Sequence, residues 1–320
     1  MKVILQEDLF QRSFDVFNAA SLKNNIEFIT TKVLDENTML EHHRNGIKCF
    51  VLGAEAYSRE FYGSLQEDSA VIRYGVGYNA VPVDICRQRN IKVAYTPGTL
   101  TDSVAEHTFA LLLSVIRKVP ALDQSFKNNE WKGLTGIELR NKILAVIGYG
   151  QIGQAVARIA KYGFGMKVLA FDQTDTAADD ACDLYTHDFD EVVQSADVVS
   201  LHLGTTPSTL EFIDSDKIER MKDGVIFINT ARGELVNEFD LFEALKKGKI
   251  QAAGLDVFTR EPYKPKLNAD LRKLKNAVLT PHCGSNTSEA SNRMAELVVQ
   301  NIKAYFAGTK MDLIPELTDE

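Results

Sequence analysis

Short apolar runs recur along the chain, each separated from the next by a segment of helix length, and this alternation predicts parallel α/β layers. A first series comprises Val3-Ile4-Leu5, Glu27-Phe28-Ile29, Cys49-Phe50-Val51-Leu52, Ala70-Val71-Ile72-Arg73 and Lys92-Val93-Ala94-Tyr95, and it ends at Thr96-Pro97-Gly98. A second occupies residues 143–147, 167–171, 198–201, 225–228, 252–255 and 277–279. Each series is expected to make one sheet. Between them, residues 104–117 read as a helix opened by a capping box, with Ser103 as N-cap and Glu106 three positions on. Val104, Ala105, Phe109, Leu111, Leu112, Leu113, Val115 and Ile116 leave this helix little polar face, so it belongs either in a core or against another subunit. After the last strand, residues 288–306 read as one helix with Ala290, Met294, Leu297, Val298, Ile302 and Tyr305 at helical spacing.

A length of 320 residues, at about 150 per domain, also points to two domains. With 45% hydrophobic and 25% charged residues the chain has a globular composition. The 36 basic residues are outnumbered by 44 acidic ones, and the longest basic run is Lys246-Lys247-Gly248-Lys249, so no nucleic-acid partner is expected. The longest uncharged apolar stretch, 108–116, has nine residues, where a membrane helix needs roughly 20. The first apolar residues meet Glu7 and Asp8 at once, which leaves no room for the apolar core of a secretory leader. A cytoplasmic protein with no membrane association is expected. Cys49, Cys86, Cys182 and Cys283 form no CxxC pair and the histidines show no HExxH spacing, so reduced thiols and no metal site are expected.

The sharpest chemical signal is Gly148-Tyr149-Gly150-Gln151-Ile152-Gly153, placed between the apolar run 143–147 and a helical segment. In such a loop the first glycine permits a tight turn and the second lets backbone approach a pyrophosphate. The third lets helix and strand pack closely, with the helix N-terminus facing the anion. The next strand ends in Asp172, nineteen residues after Gly153, where a carboxylate can accept both ribose hydroxyls and repel a 2′-phosphate. Gln173 and Thr174 bring no guanidinium beside it, so NAD is the expected cofactor. Three further strand ends carry candidate chemistry: Arg232 after 225–228, Asp256 followed by Glu261 after 252–255, and His282 after 277–279. Ligands of open α/β sheets bind at that edge.

Taken in order, Arg73-Tyr74-Gly75-Val76-Gly77-Tyr78-Asn79, Ala105-Glu106, Gly148 to Gly153, Ala231-Arg232-Gly233, Asp256-Val257-Phe258, Glu261-Pro262 and Pro281-His282 resemble the D-isomer-specific 2-hydroxyacid dehydrogenases over nearly the whole chain. That family includes the D-lactate, D-glycerate and D-3-phosphoglycerate dehydrogenases. The resemblance implies two doubly wound α/β domains, a Rossmann NAD-binding domain (102–287) inserted in a flavodoxin-like substrate domain (1–101 and 288–320), with a cleft between them and hinges near Pro97-Gly98 and Gly284. It implies that Arg232 binds the carboxylate and carbonyl of a 2-oxo or 2-hydroxy acid, that His282 is the proton donor in ketone reduction, and that Glu261 pairs with His282. A carboxylate beside an imidazole favours the protonated ring, and arginine stays charged as an oxyanion develops. The same resemblance makes Gly75, Val76 and Gly77 a carboxylate-binding loop. It places Leu203, Gly204, Thr230 and Ala231 along the cofactor beside Gly148, Gly150, Gln151, Ile152, Gly153 and Asp172, and puts Asp256 at the nicotinamide carboxamide. It also implies a homodimer.

Four positions depart from the family pattern: Pro82 for Asp, Gln151 for the Arg of GxGRIG, Gly204 for Pro, and Asn237 for Asp. The expected activity is reversible, NAD-dependent reduction of a small polar 2-oxo acid such as glyoxylate, hydroxypyruvate or a phosphoglycerate-like acid. A formate dehydrogenase is the weaker enzyme alternative, because its pattern carries glutamine where Glu261 stands. An NAD-sensing corepressor on the same fold is the non-enzyme alternative. The chain ends at Glu320, which disfavours the long, serine-regulated phosphoglycerate dehydrogenases. Around Ala54 to Arg59, Tyr57 and Arg59 are either substrate contacts or, respectively, a packed phenol and a solvated cation.

Overall fold

The computed structural model describes residues 1–175, 179–266 and 268–318; positions 319 and 320 of the expected C-terminal segment lie outside them. The chain divides into two compact units, one formed by residues 1–100 with 286–320 and the other by 101–285.

The first unit is built on β1 (Lys2–Gln6), β2 (Glu27–Thr31), β3 (Cys49–Leu52), β4 (Ala70–Arg73) and β5 (Lys92–Ala94), in the order β2-β1-β3-β4-β5. All of its pairings are parallel. Every residue of β3 and β4 is buried, because helices cover both faces and the strands are apolar throughout rather than alternating. Phe50, Phe61, Tyr62, Val71 and Val93 form part of its core. The helix Ser288–Ala307 belongs to this unit, and Thr287 caps it by accepting the Ala290 N–H at 3.1 Å.

The second unit holds β6 (Ile143–Ile147), β7 (Lys167–Phe171), β8 (Leu184–Thr186), β9 (Val198–Leu201), β10 (Val225–Asn229), β11 (Ile250–Leu255) and β12 (Ala277–Leu279). Their order is β12-β11-β10-β9-β6-β7-β8, again all parallel. Strand order reverses between β6 and β9, and that reversal opens a crevice at the C-terminal edge. Six of these strands match the apolar runs of the sequence. β8 does not, since it is three half-buried residues at the sheet edge between Asp183 and His187, too short and too polar in its flanks to register as a run.

The helix between the two strand series starts earlier than its capping box predicts. It spans Thr101–Ile116, so Ser103 lies inside its first turn, buried, and is not its N-cap. Its apolar residues serve the core: Ala105, Phe109, Leu112, Val115 and Ile116 pack with Leu144, Val146, Ile226 and Ile228 in the second unit. The core reading therefore accounts for its composition, and that composition is no argument for a subunit contact. Among the described residues no helix is long and apolar enough to cross a membrane.

Candidate functional site

Because every strand of the second unit runs the same way, the ends of β6, β7, β10, β11 and β12 deliver their following residues to one edge of one sheet. At the end of β6, Gly148 has φ +100°, and a Cβ there would sit 2.6 Å from the backbone of His202 and Leu203. Only glycine serves both the turn and the approach of the β9 loop. A Cβ on Gly153 would lie 2.1 Å from the Gly148 carbonyl oxygen, so the helix Gln151–Arg158 can pack this tightly only without one. Gly150, the N-cap of that helix, is different: nothing lies within 4 Å of where its Cβ would be. Open space in front of a helix N-terminus is what a pyrophosphate needs.

Asp172 follows β7. Its Oδ2 accepts the Tyr149 N–H at 2.7 Å, and its Oδ1 accepts the Thr174 N–H and hydroxyl, each at 3.0 Å. The glycine loop thus orients the carboxylate expected at the ribose. Space at Gly150, donors at the helix start and an acceptor at Asp172 together fit a dinucleotide. Of the remaining cofactor-side residues, Gln151 opens the helix, exposed, with Ile152 behind it partly covered, and the Gly204 carbonyl accepts the Thr209 hydroxyl at 2.8 Å. Leu203 and Ala231 pack at the margin of the sheet core.

After β10 the chain turns through Thr230, Ala231 and Arg232, and sequence reading missed the residue that shapes this turn. Asn229, 1% exposed, accepts the Ala231 N–H at 3.0 Å and donates to the Arg232 carbonyl at 2.8 Å. The clue was an amide closing an otherwise apolar strand. Thr230 is fixed through Thr108, whose hydroxyl donates to the Val104 carbonyl at 2.8 Å and so accepts from Thr230 at 2.9 Å. Arg232 donates through Nη1 to the Ala231 carbonyl at 2.7 Å. Burial lowers its pKa, while Glu234 and Glu261 raise it. Gly233 lets the turn press against the next loop: a Cβ there would be 1.9 Å from the Phe258 carbonyl carbon.

That next loop carries Glu261. Its Oε1 accepts the Phe258 N–H at 3.1 Å and its Oε2 lies 2.6 Å from His282 Nδ1. Burial by itself raises the Glu261 carboxyl, but the His282 bond and charge, the Phe258 N–H and Arg232 together hold it below its ordinary value. Glu238, buried at the start of the helix Glu238–Lys247 that precedes β11, accepts the Thr259 N–H at 2.6 Å and ties the loop from the other side. With Nδ1 engaged by Glu261, Nε2 is the ring nitrogen of His282 that faces no hydrogen-bond partner among the described residues.

Asp256, at the end of β11, is 1% exposed. Its Oδ1 accepts the Thr280 hydroxyl at 2.6 Å and the Cys283 N–H at 2.9 Å, and its Oδ2 accepts the Gly284 N–H at 2.8 Å. His107, on the helix Thr101–Ile116, stands 3.3 Å from Oδ1 and 3.1 Å from the Thr280 oxygen. Burial alone raises this carboxyl; the four donors reverse that and hold it well below the carboxylate range.

In the first unit, Gly75 donates its N–H to the Thr96 hydroxyl at 3.0 Å. Buried Arg73 braces the loop from Gly75 to Gly77 by donating to the Gly77 carbonyl at 3.3 and 3.2 Å. Tyr57 is buried, accepts the Leu34 N–H at 3.3 Å and has its phenol pushed up to about 12 by burial, while exposed Arg59 forms a forked ion pair with Asp84. Asn237 replaces the family's Asp without loss, since its Oδ1 caps the helix Glu238–Lys247 by accepting the Phe239 and Asp240 N–H groups at 3.2 Å.

A model of the D-isomer specific 2-hydroxyacid dehydrogenase, NAD binding domain, matches residues 109–284. The chain is similar to a glyoxylate reductase of Thermococcus litoralis, 37% identical over 287 residues that make up 87% of this chain and 86% of that one. It is also similar to a hydroxypyruvate reductase of Thermotoga maritima, 40% identical over 234 residues, 72% of this chain and 76% of that one. Among solved structures, a glyoxylate reductase from Paecilomyes thermophila superposes with a TM-score of 0.86 at 27% identity, over 99% of both chains.

Proposed function

The chain belongs to the D-isomer specific 2-hydroxyacid dehydrogenases, and from that premise we propose that it interconverts a small polar 2-oxo acid and its D-2-hydroxy acid with NAD as cofactor. The observation that carries the reading is the His282–Glu261 pair, held on the sheet edge that also carries Gly150, Asp172 and Arg232.

When bound, NADH supplies the hydride that the carbonyl carbon takes up. Gly148 to Gly153 and Asp172 hold the cofactor, with Leu203, Gly204, Thr230 and Ala231 along it. Arg232 binds the 2-oxo acid through its guanidinium fork and offsets the negative charge growing on the carbonyl oxygen. His282 gives that oxygen its proton from Nε2, while Glu261 at Nδ1 keeps the ring oriented. In the first unit, Val76 and Gly77 are assigned to the substrate carboxylate by resemblance.

Glyoxylate and hydroxypyruvate are the substrates favoured, because relatives named for them are covered by this chain over 86% and 76% of their own length, whereas a D-3-phosphoglycerate dehydrogenase is covered over 56%. The same reading includes a homodimer. Its support is a stretch of exposed apolar side chains, Val119, Phe126, Trp131 and Leu134, on the helix Val119–Lys127 and the segment after it. Four free cysteines suit a reducing, cytoplasmic setting. NADH oxidation measured against pyruvate, glyoxylate, hydroxypyruvate, 3-phosphohydroxypyruvate and branched 2-oxo acids tests the reading. Turnover of glyoxylate or hydroxypyruvate is expected; NADH binding with no turnover of any of them would leave the sensing alternative in its place.

A further inference from the structure

Tyr149 stands between the first two glycines of the glycine loop and is wholly buried. Each of its polar groups is engaged. The N–H donates to Asp172 Oδ2 at 2.7 Å, the carbonyl accepts the Gln154 side-chain amide at 3.2 Å, and the phenol donates to Asp179 Oδ1 at 2.6 Å. Asp179, seven residues after Asp172, also accepts the Ala181 N–H at 3.2 Å and, through its other oxygen, Arg158 Nη1 at 2.8 Å. Tyr185 packs edge-on against the Tyr149 ring, with centroids 5.9 Å apart.

The direction of the phenol bond follows from its surroundings. Burial by itself raises the Asp179 carboxyl, but the Tyr149 hydroxyl, Arg158 and the Ala181 N–H together hold it below its ordinary value, so it is ionised and accepts. Burial and that same acceptor raise the Tyr149 phenol, which keeps the proton it donates. Arg158 ends the helix Gln151–Arg158, and Gln154 lies within it. Loop, Asp179, Arg158 and helix therefore close a circuit. Two consecutive amides of the loop fasten it to the end of β7, Gly148 on the Phe171 carbonyl at 2.8 Å and Tyr149 on the Asp172 carboxylate.

We propose that Tyr149 is a positioning residue for cofactor recognition: its phenol, anchored on Asp179 and Arg158, holds the loop so that its own amide keeps Asp172 turned to the ribose. This rests on the reading of Asp172 as the acceptor of the ribose hydroxyls. Thr174 holds the Oδ1 side of that carboxylate and Tyr149 the Oδ2 side, so a Tyr149 peptide free to turn releases one of the two oxygens. A circuit that served only to hold the sheet edge together would matter for thermal stability and leave the choice between NADH and NADPH alone. A positioning circuit makes it matter for that choice.

The test uses the full-length protein. Tyr149→Phe removes only the hydroxyl, Asp179→Ala removes its acceptor, Arg158→Leu removes the cation behind that acceptor, and Arg158→Lys restores one. We expect the NADH dissociation constant, read by fluorescence titration, to rise roughly fivefold or more in Tyr149→Phe and in Asp179→Ala, the factor that one intramolecular hydrogen bond is usually worth. NADPH should be affected less, so the preference for NADH narrows. Because both changes cut one link, the double variant should bind NADH within about twofold of the weaker single variant. Arg158→Leu should weaken NADH binding in the same sense, and Arg158→Lys should recover it. Hydrogen exchange at the Tyr149 amide should speed up in each weakened variant and return in Arg158→Lys. Native NADH affinity and an unchanged ratio of NADH to NADPH affinity in Tyr149→Phe and Asp179→Ala, even with lowered thermal stability, would overturn the proposal, as would additive losses in the double variant. If the native protein binds NADH but turns over no 2-oxo acid, the catalytic reading fails and the titrations still decide this one. If Tyr149→Phe does not fold, the Asp179 and Arg158 variants decide it.

Discussion

His282 Nδ1 and Glu261 Oε2 lie 2.6 Å apart, although the two residues are twenty-one positions apart in the chain. The contact pulls the Glu261 carboxyl below its ordinary value, so at neutral pH it presents a negative charge to the ring. Glu261→Gln keeps the shape and removes that charge. With the charge that faces the ring gone, kcat for reduction is expected to fall while NADH binding is kept. Steady-state kinetics with NADH and the best 2-oxo acid, beside an NADH titration, check this; an unchanged kcat would separate Glu261 from the donor.

Removing the ring is a harsher test. His282→Ala is expected to lower kcat for reduction by at least roughly 100-fold, the low end of general acid catalysis, with NADH binding intact. Fluorescence titration with NADH beside steady-state kinetics distinguishes a lost donor from a lost site.

Cofactor choice is expected to rest on Asp172, whose carboxylate is already oriented by the Tyr149 and Thr174 amides. Asp172→Ala should erode the preference for NADH over NADPH, measured as the ratio of their kcat/KM values. A native protein that used both cofactors equally well would contradict this.

Gly233→Ala tests the approach of two loops. The added methyl group would fall 1.9 Å from the Phe258 carbonyl carbon, and both neighbours are backbone. The loops bearing Arg232 and Glu261 must then separate. Thermal or urea unfolding should show a loss of about 1–3 kcal/mol, the usual range for overpacking, together with reduced kcat/KM.

For the proposed homodimer the decisive surface is the exposed one, where Phe126 is 66% and Trp131 91% accessible. Light scattering at micromolar concentration is expected to give twice the chain mass, and Phe126→Asp with Trp131→Glu to shift it toward the monomer. A monomeric native protein would remove the interface.

Both sheets and eleven of the twelve strands were legible in the sequence, because a parallel strand covered on both faces must be apolar along its whole length. The glycine loop and Asp172 were legible for a similar reason: close backbone approach admits one residue type, and the next strand returns a carboxylate to the same edge at nearly constant spacing. Arg232, Glu261 and His282 were visible as chemistry at strand ends. Their mutual geometry was not, since which ring nitrogen meets Glu261 depends on loops from β11 and β12 that lie side by side only after the sheet has formed. Local signals misled where tertiary burial outweighed them. Ser103 and Glu106 spell a helix start, yet the helix begins at Thr101 because its apolar face is buried in the core from Ser103 onward. Asn229 left only the faint clue of an amide closing an apolar strand, and His107 and Thr280 left none. Each is a single polar side chain whose role is set by the acceptor or donor that the folded sheet places within about 3 Å of it, and that neighbour is chosen by three-dimensional packing rather than by sequence spacing.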